Sequence, residues 1–329
     1  MTHAAMKDIY DRLKLLGFTP AFVRSCILPD WWEDKLAEVP SNRQHAEALI
    51  ARHLKIEAAT LRDRKAPLKV RKLAPLKLKL RQGTSEDELQ AARILGERLA
   101  TIVDSSLETP ASVGGLTASS IRERILGSGA KWVGFHELLD FCWSIGVPVV
   151  NLCRVPTGSK KPAGMAVWLG KLPIIVIASG RKHPAWHIFL IAHELGHIAL
   201  GHLSQGEVSI DVKVVMDSDD RQEREANAFA TELLSGDPDL SFSPSPRLTG
   251  QELARAAESI GEKLKIDPGF IALSYSRSRS FYAVAQVALR SLQSDADACE
   301  LYSRAYTRLD SDGLTEDNRH VFECLTKAA

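Results

Sequence analysis

The chain has 329 residues, 45% of them hydrophobic and 25% charged, with a formal net charge of +1. This composition suits an ordinary globular protein of two or three domains and gives no whole-chain electrostatic case for nucleic acid, so any such case must be local. No apolar run reaches about 18 uninterrupted residues, which argues against a membrane partner, and the polar start MTHAAMKDIYDRLKLLGF lacks a signal-peptide core, so a cytoplasmic protein is expected. Cys26, Cys142, Cys153, Cys299 and Cys324 are odd in number, far apart and without a CxxC, which suggests neither a disulfide framework nor a thiolate metal site.

Residues 1–83 read as short helices followed by a basic arm. Ile9, Leu13, Leu16 and Phe18 keep near-helical spacing, Gly17 breaks the pattern, and Thr19-Pro20 opens a second helix as cap and first helical residue. Trp31 and Trp32 are expected core anchors, and Ala46, Leu49, Ile50, His53 and Leu54 form one helical stripe. Several short helices with tight turns suit a helix-turn-helix module. The arm over residues 62–81 holds nine Lys or Arg and one Asp. Its prolines oppose a continuous helix, and Leu76, Leu78 and Leu80 alternate with Lys77, Lys79 and Arg81 in strand fashion. It reads as a solvated linker or edge strand, or else as a phosphate-contacting arm using Lys69, Arg71, Lys72, Lys77, Lys79 and Arg81.

Residues 84–129 form a helical linker region, opened by a Ser85/Glu88 capping box and striped by Leu89, Ala92, Leu95, Leu99 and Ile102. The segment 130–245 mixes helix and strand. FHELLDFCWSI is a helix, VPVVNL a strand, and GMAVWLG with KLPIIVIA a hairpin pair. A long helix follows from about Pro184 to Gly201, then a polar, loop-like stretch over 204–218, then a helix ending at Gly236. Residues 246–329 are helical, with no fixed-period repeat anywhere. The fold class is therefore α+β, mostly helical, with a small β-sheet packed on the long helix and helical regions on either side.

The chemistry sits in that helix, in WHIFLIAHELGHIALGHL. His193 and His197 are four residues apart, hence on one helical face about 6 Å apart at Cβ, where two imidazoles can share a metal. Glu194 lies roughly 100° around the helix, able to reach a metal-bound water as general base but not to chelate beside both histidines. A core helix with two hydrogen-bonded histidines is the bland reading. A catalytic zinc takes three protein ligands and keeps an open position. Leu200 and Leu203 stand where a longer zincin motif would need Gly and His, and His202 is off register and reads as a cap or surface residue. In EREANAFATELL, Glu223 falls near the face of Ala226 and Ala230, whereas Glu225 lies on the opposite flank, so Glu223 is the first candidate for the third ligand and Glu225 the reserve. Two His and one Glu favour zinc over manganese. Tyr275 and His187 are candidate oxyanion donors, Cys153 a thiolate that could fill the open position, and either strand of the hairpin an edge on which substrate could add.

The strand pair, FLIAHELGHIALGH and EREANAFATELL together resemble the ImmA/IrrE family of zinc metallopeptidases over residues 130 to 235. The resemblance implies His193, His197 and Glu223 as ligands and Glu194 as the catalytic glutamate. The chain departs from the pattern at LLSG, where the family has LLMP. It further implies cleavage of a helix-turn-helix transcriptional repressor, releasing genes for DNA-damage response, mobile elements or phage defence, in some members only after a DNA-damage signal. Single-stranded DNA is then a possible activator. LGFTPAFVRSCILPDWWEDKL is similar to an Xre-type segment found ahead of such peptidases. The other reading of the same residues is a DNA-binding regulator with a structural or degenerate metal site.

Overall fold

A computed structural model describes residues 4–79, 86–108, 110–212, 218–242, 247–277, 281–310 and 313–327. In chain order the elements are α1 (Ala4–Lys14), α2 (Pro20–Cys26), α3 (Pro40–His53), α4 (Ala58–Arg62), β1 (Leu76–Lys79), α5 (Glu86–Ser105), α6 (Ala118–Gly127), α7 (Phe135–Ser144), β2 (Val149–Asn151), β3 (Gly164–Trp168), β4 (Ile174–Ile177), α8 (Ala185–Ala199), β5 (Glu207–Asp211), α9 (Arg221–Ser235), α10 (Gly250–Leu264), α11 (Pro268–Arg277), α12 (Tyr282–Leu292), α13 (Ala298–Ala305) and α14 (Glu316–Thr326). The fold is mostly helical α+β around one small mixed sheet.

Local chemistry accounts for most boundaries. Gly17 ends α1's run at φ +86°, and Thr19 then caps α2 by accepting the N–H of Phe22, with Pro20 at the first helical position. Of the two expected core tryptophans, only Trp32 is buried. Trp31 is 59% exposed and stacks on His45, whereas the indole N–H of Trp32 donates to Asp34 inside the fold. Ser85, expected to open the capping box of α5, lies outside the described residues.

The sheet order is β1-β5-β3-β4-β2. β3 runs antiparallel to both β4 and β5, while β1 and β2 add in parallel at the two edges. Thus β3 and β4 form the expected antiparallel pair, but both are interior strands, and neither offers a free edge to a substrate strand. The stretch 204–218 is not loop throughout. Val208 and Ile210 anchor β5, which the polar residues around them hid in the sequence.

Side chains alternate across the sheet, so Met165 and Gly164 of β3 face opposite sides. Met165 packs on α5 at Gly96, where a Cβ would lie 2.2 Å from its Cε, and Gly164 faces α8. The sheet is therefore layered between α5 and α8, with α9 packed on α8 from outside. One continuous apolar core runs from Met6 to Leu325.

The chain closes on itself. α14 packs on α2 and α5, and a disulfide joins Cys26 to Cys324, 298 residues apart. This corrects the reading of unpaired cysteines: the partners meet only because α14 returns to α2. Beneath the bridge a buried polar group of Arg98, His53 and Asn318 links α5, α3 and α14. Burial and the nearby guanidinium of Arg98 hold His53 down at about 3, so its ring is neutral and its Nδ1 accepts the Arg98 N–H.

Candidate metal centre

α8 is apolar on nearly all sides, and its residues from Ala185 to Ile198 are almost all buried, as a helix between a sheet and other helices must be. His193 and His197 project from one face with ring centroids 4.8 Å apart and Nε2 atoms 3.1 Å apart. Both are fully buried. Gly196 lies between them in sequence and serves the next helix. A Cβ there would sit 3.1 Å from Phe229 and 3.3 Å from the Ala226 backbone, so its absence lets α9 settle directly on α8.

α9 starts where Asp220 caps it, accepting the N–H groups of Gln222 at 2.8 Å and Glu223 at 3.2 Å. Glu223 therefore sits in the first turn, where the helix dipole favours a carboxylate. It is one turn before Ala226, the point of closest approach to α8. Its Oε1 lies 3.1 Å from His197 Nε2 and its Oε2 3.5 Å from His193 Nε2. Glu225, the reserve candidate, points elsewhere. It holds Arg221 at 2.7 Å and His202 at 3.1 Å.

Two residues that the sequence did not mark belong to the site. Asp211, the last residue of β5, brings Oδ2 to 3.4 Å from His193 Nε2 and 3.8 Å from His197 Nε2. His202, expected to be a cap or surface residue, is buried instead. Gly201 at φ +70° turns the chain back, and His202 Nδ1 comes to 3.1 Å from His197 Nδ1. The row Glu225–His202–His197 can orient the His197 ring, as outer partners do for metal-bound histidines. Asp211 could have been found only by reading VSID as a strand ending on an acid, and its register against β3 is tertiary information.

His193, His197, Asp211 and Glu223 thus form a buried group whose ligating atoms all lie within 4.8 Å of one another. Burial alone would push the His193 imidazolium down, yet the Asp211 and Glu223 carboxylates outweigh it and hold His193 up at about 9. The pocket favours positive charge. Neither oxygen of Asp211 accepts a hydrogen bond among the described residues, although the side chain is buried. Two carboxylates and two imidazoles facing one point fit a divalent cation, and a nitrogen-and-oxygen donor set of four fits zinc geometry.

Glu194 lies outside that group and is fully buried. It packs against the first residue of β3, where a Cβ on Gly164 would lie 2.2 Å from its Oε1. Gly164 pairs with Asp211 across the sheet, so the glutamate and the aspartate flank one strand position.

Residues 149–266 match the model of the M78 peptidase family, described as an IrrE N-terminal-like domain. This segment is similar to an IrrE N-terminal-like domain. It spans just over a third of the chain, from β2 through α10, and contains Glu194 and all four residues of the buried group. No curated protein and no solved structure matches the chain. The family is one of metallopeptidases, in keeping with a buried His/Asp/Glu group that could hold a metal.

The remaining sequence candidates are not among the four residues of that group. The Nε2–H of His187 donates to the Arg181 carbonyl at 2.7 Å and its Nδ1 accepts from Tyr302 at 3.2 Å, with burial holding the ring down at about 4, so neither nitrogen serves the site. The Tyr275 hydroxyl accepts the N–H of Leu248. Cys153 faces Cys299, with sulfurs 3.9 Å apart, and burial pushes its thiol up to about 12. In the basic arm, Lys77 pairs with Glu207 at 2.7 Å and donates to the His202 carbonyl at 2.8 Å, binding edge strand β1 to β5. Lys69, Arg71 and Lys72 are exposed. Lys79 ends β1 with its side chain outside the described residues, where Arg81 also falls. Among the described residues no helix is long and apolar enough to cross a membrane.

Proposed function

We propose that the chain is a zinc-dependent endopeptidase with a narrow protein substrate in the cytoplasm, a helix-turn-helix transcriptional repressor, whose cleavage derepresses genes for DNA-damage response, mobile elements or phage defence. The observation that carries this reading is the juxtaposition of His193, His197 and Glu223 around one point with Glu194 buried beside them. Zinc, when bound, supplies Lewis acidity and lowers the pKa of water. The chain's own part is proton handling and orientation. The Glu194 carboxylate takes the proton of the attacking water and returns it to the leaving amine. His202 and Glu225 fix the His197 ring. The closeness of β3 at Gly164 fixes Glu194.

The test is incubation of the full chain with helix-turn-helix repressors, beginning with any encoded beside its gene, followed by gel and mass spectrometry. Wild type is compared with Glu194→Gln, with and without chelator and with and without single-stranded DNA. A discrete cut, reduced about 10²–10⁴-fold in the variant while its zinc content stays at wild-type level, is the expected result. Dependence on DNA would make single-stranded DNA the activator.

A second reading, a DNA-binding regulator with a structural metal, is favoured by one observation: Asp211 brings the protein donors to four, the number a closed structural site has. Such a protein needs no general base. No cut under any condition, with zinc bound and DNA retained in a shift assay, would select it.

A further inference from the structure

Catalytic zinc sites hold three protein ligands and leave a fourth position open, whereas structural sites use four. Donors around a tetrahedral ion with bonds of about 2.0–2.2 Å stand roughly 3.2–3.6 Å apart. His193 and His197 come just inside that spacing at 3.1 Å, and Glu223 meets them at 3.5 and 3.1 Å. Asp211 meets the same two nitrogens at 3.4 and 3.8 Å, slightly farther than Glu223 but within a small movement of the same spacing.

Its position is built into the sheet. The Asp211 carbonyl accepts the Ala163 N–H at 2.8 Å, and the residue is in register with Gly164. The side chain is 1% exposed, and neither carboxylate oxygen accepts a hydrogen bond among the described residues. A buried carboxylate whose nearest polar neighbours are two imidazoles at 3.4 and 3.8 Å is costly unless a cation takes its charge. Asp211 lies directly across the ladder from Gly164, the strand residue that abuts Glu194.

We propose that Asp211 is the fourth ligand of the resting metal site and fills the position that water and the scissile carbonyl need, so that the folded protein is latent and cleavage requires this carboxylate to withdraw. The inference rests on the peptidase reading above. It reconciles a closed donor set with a retained general base. Withdrawal needs only rotation of one side chain at the end of a strand.

The test uses the full chain loaded with cobalt(II), whose visible absorption reports coordination, and acetohydroxamate, a small metal chelator that needs an open position. In wild type the spectrum should stay unmoved by acetohydroxamate. In Asp211→Ala and in the near-isosteric Asp211→Asn it should shift on titration. Both variants should hold the metal at least ~10-fold less tightly against a competing chromophoric chelator, and both should cleave the repressor faster than wild type. A wild-type spectrum that shifts on acetohydroxamate titration would overturn the proposal without any variant having to fold. So would variants with unchanged spectrum and metal affinity, which would leave the peptidase reading standing. A changed spectrum with no gain in cleavage would overturn the latency. A wild type that takes up no cobalt would sink both readings together.

Discussion

Replacing Arg122 with Met should destabilise the protein by about 3–5 kcal/mol, from buried helix-end carbonyls left without their charged donor. Arg122 on α6 is buried and donates to four backbone carbonyls: Leu233 at 3.3 Å and Leu234 at 2.9 Å at the end of α9, Leu264 at 3.3 Å and Lys265 at 2.7 Å at the end of α10. The last carbonyls of a helix have no intrahelical donor, and this one guanidinium serves two helices. A hydrogen bond from a charged donor contributes about 1.5–3 kcal/mol net, and a buried carbonyl left without a donor costs about 1–3 kcal/mol. The two short bonds dominate, the two at 3.3 Å add little, and the desolvation that lowers the arginine's own pKa runs the other way. Urea denaturation followed by circular dichroism should show the midpoint fall by about 1 M or more at a slope near 3 kcal/mol/M. Lysine cannot fork between two helix ends, so Arg122→Lys should recover less than half of the loss. A loss below about 1 kcal/mol in Arg122→Met would refute the reasoning, because it would mean that those carbonyls find water or other donors without the guanidinium.

Gly164→Ala places a Cβ 2.2 Å from Glu194 Oε1, so the carboxylate must move by about 1 Å, and kcat/KM on the repressor should drop about 10²-fold with metal content unchanged; a loss of metal equal to the loss of activity would contradict that assignment. The buried, neutral His187 makes stability fall as pH drops from about 6.5, where an unfolded histidine takes up a proton, to about 4, where the folded one does, by up to about 3 kcal/mol in all. His187→Gln should flatten this slope, seen in urea midpoints across that pH window, and an unaltered slope would show that the ring is not held neutral. Cys26→Ser should lower stability by about 2–4 kcal/mol under oxidising conditions and leave it unchanged in excess dithiothreitol, and equal loss in both would point to packing rather than the bridge.

Where a signal is local, the sequence carries it. The spacing of His193 and His197 is a helix-face relation, and the distances of three and seven residues from Glu223 to Ala226 and Ala230 put that carboxylate on the face that meets α8. The caps at Thr19, the stop at Gly236 and the antiparallel pair β3–β4 are also short-range features. What was illegible depends on chain-distant pairing. Asp211 reaches the histidines because β5 lies between β1 and β3, strands that precede it by about forty residues or more. His202 breaks the four-residue rhythm and still arrives, because the turn at Gly201 reverses the chain onto His197. The Cys26–Cys324 bridge spans nearly the whole sequence. Trp31 shows the limit of composition: its large ring is stacked on His45 at the surface, and no pattern distinguishes it from its buried neighbour.

The metal group is assembled from a helix, a strand and a second helix, and two glycines set how close they come. Gly196 removes the side chain that would hold α9 off α8, which brings Glu223 over the histidines. Gly164 removes the one that would hold Glu194 off β3, and it does so at the residue paired with Asp211. A larger residue at either place would move a carboxylate, and different ones: Glu223 in the first case, Glu194 in the second. The strand that presents Asp211 is in turn held on its outer side by β1, through the Leu76–Lys79 ladder and the Lys77–Glu207 ion pair. The end of the basic run ahead of the matched domain is therefore part of the sheet that carries the site, and Lys77 there pairs with Glu207 of β5.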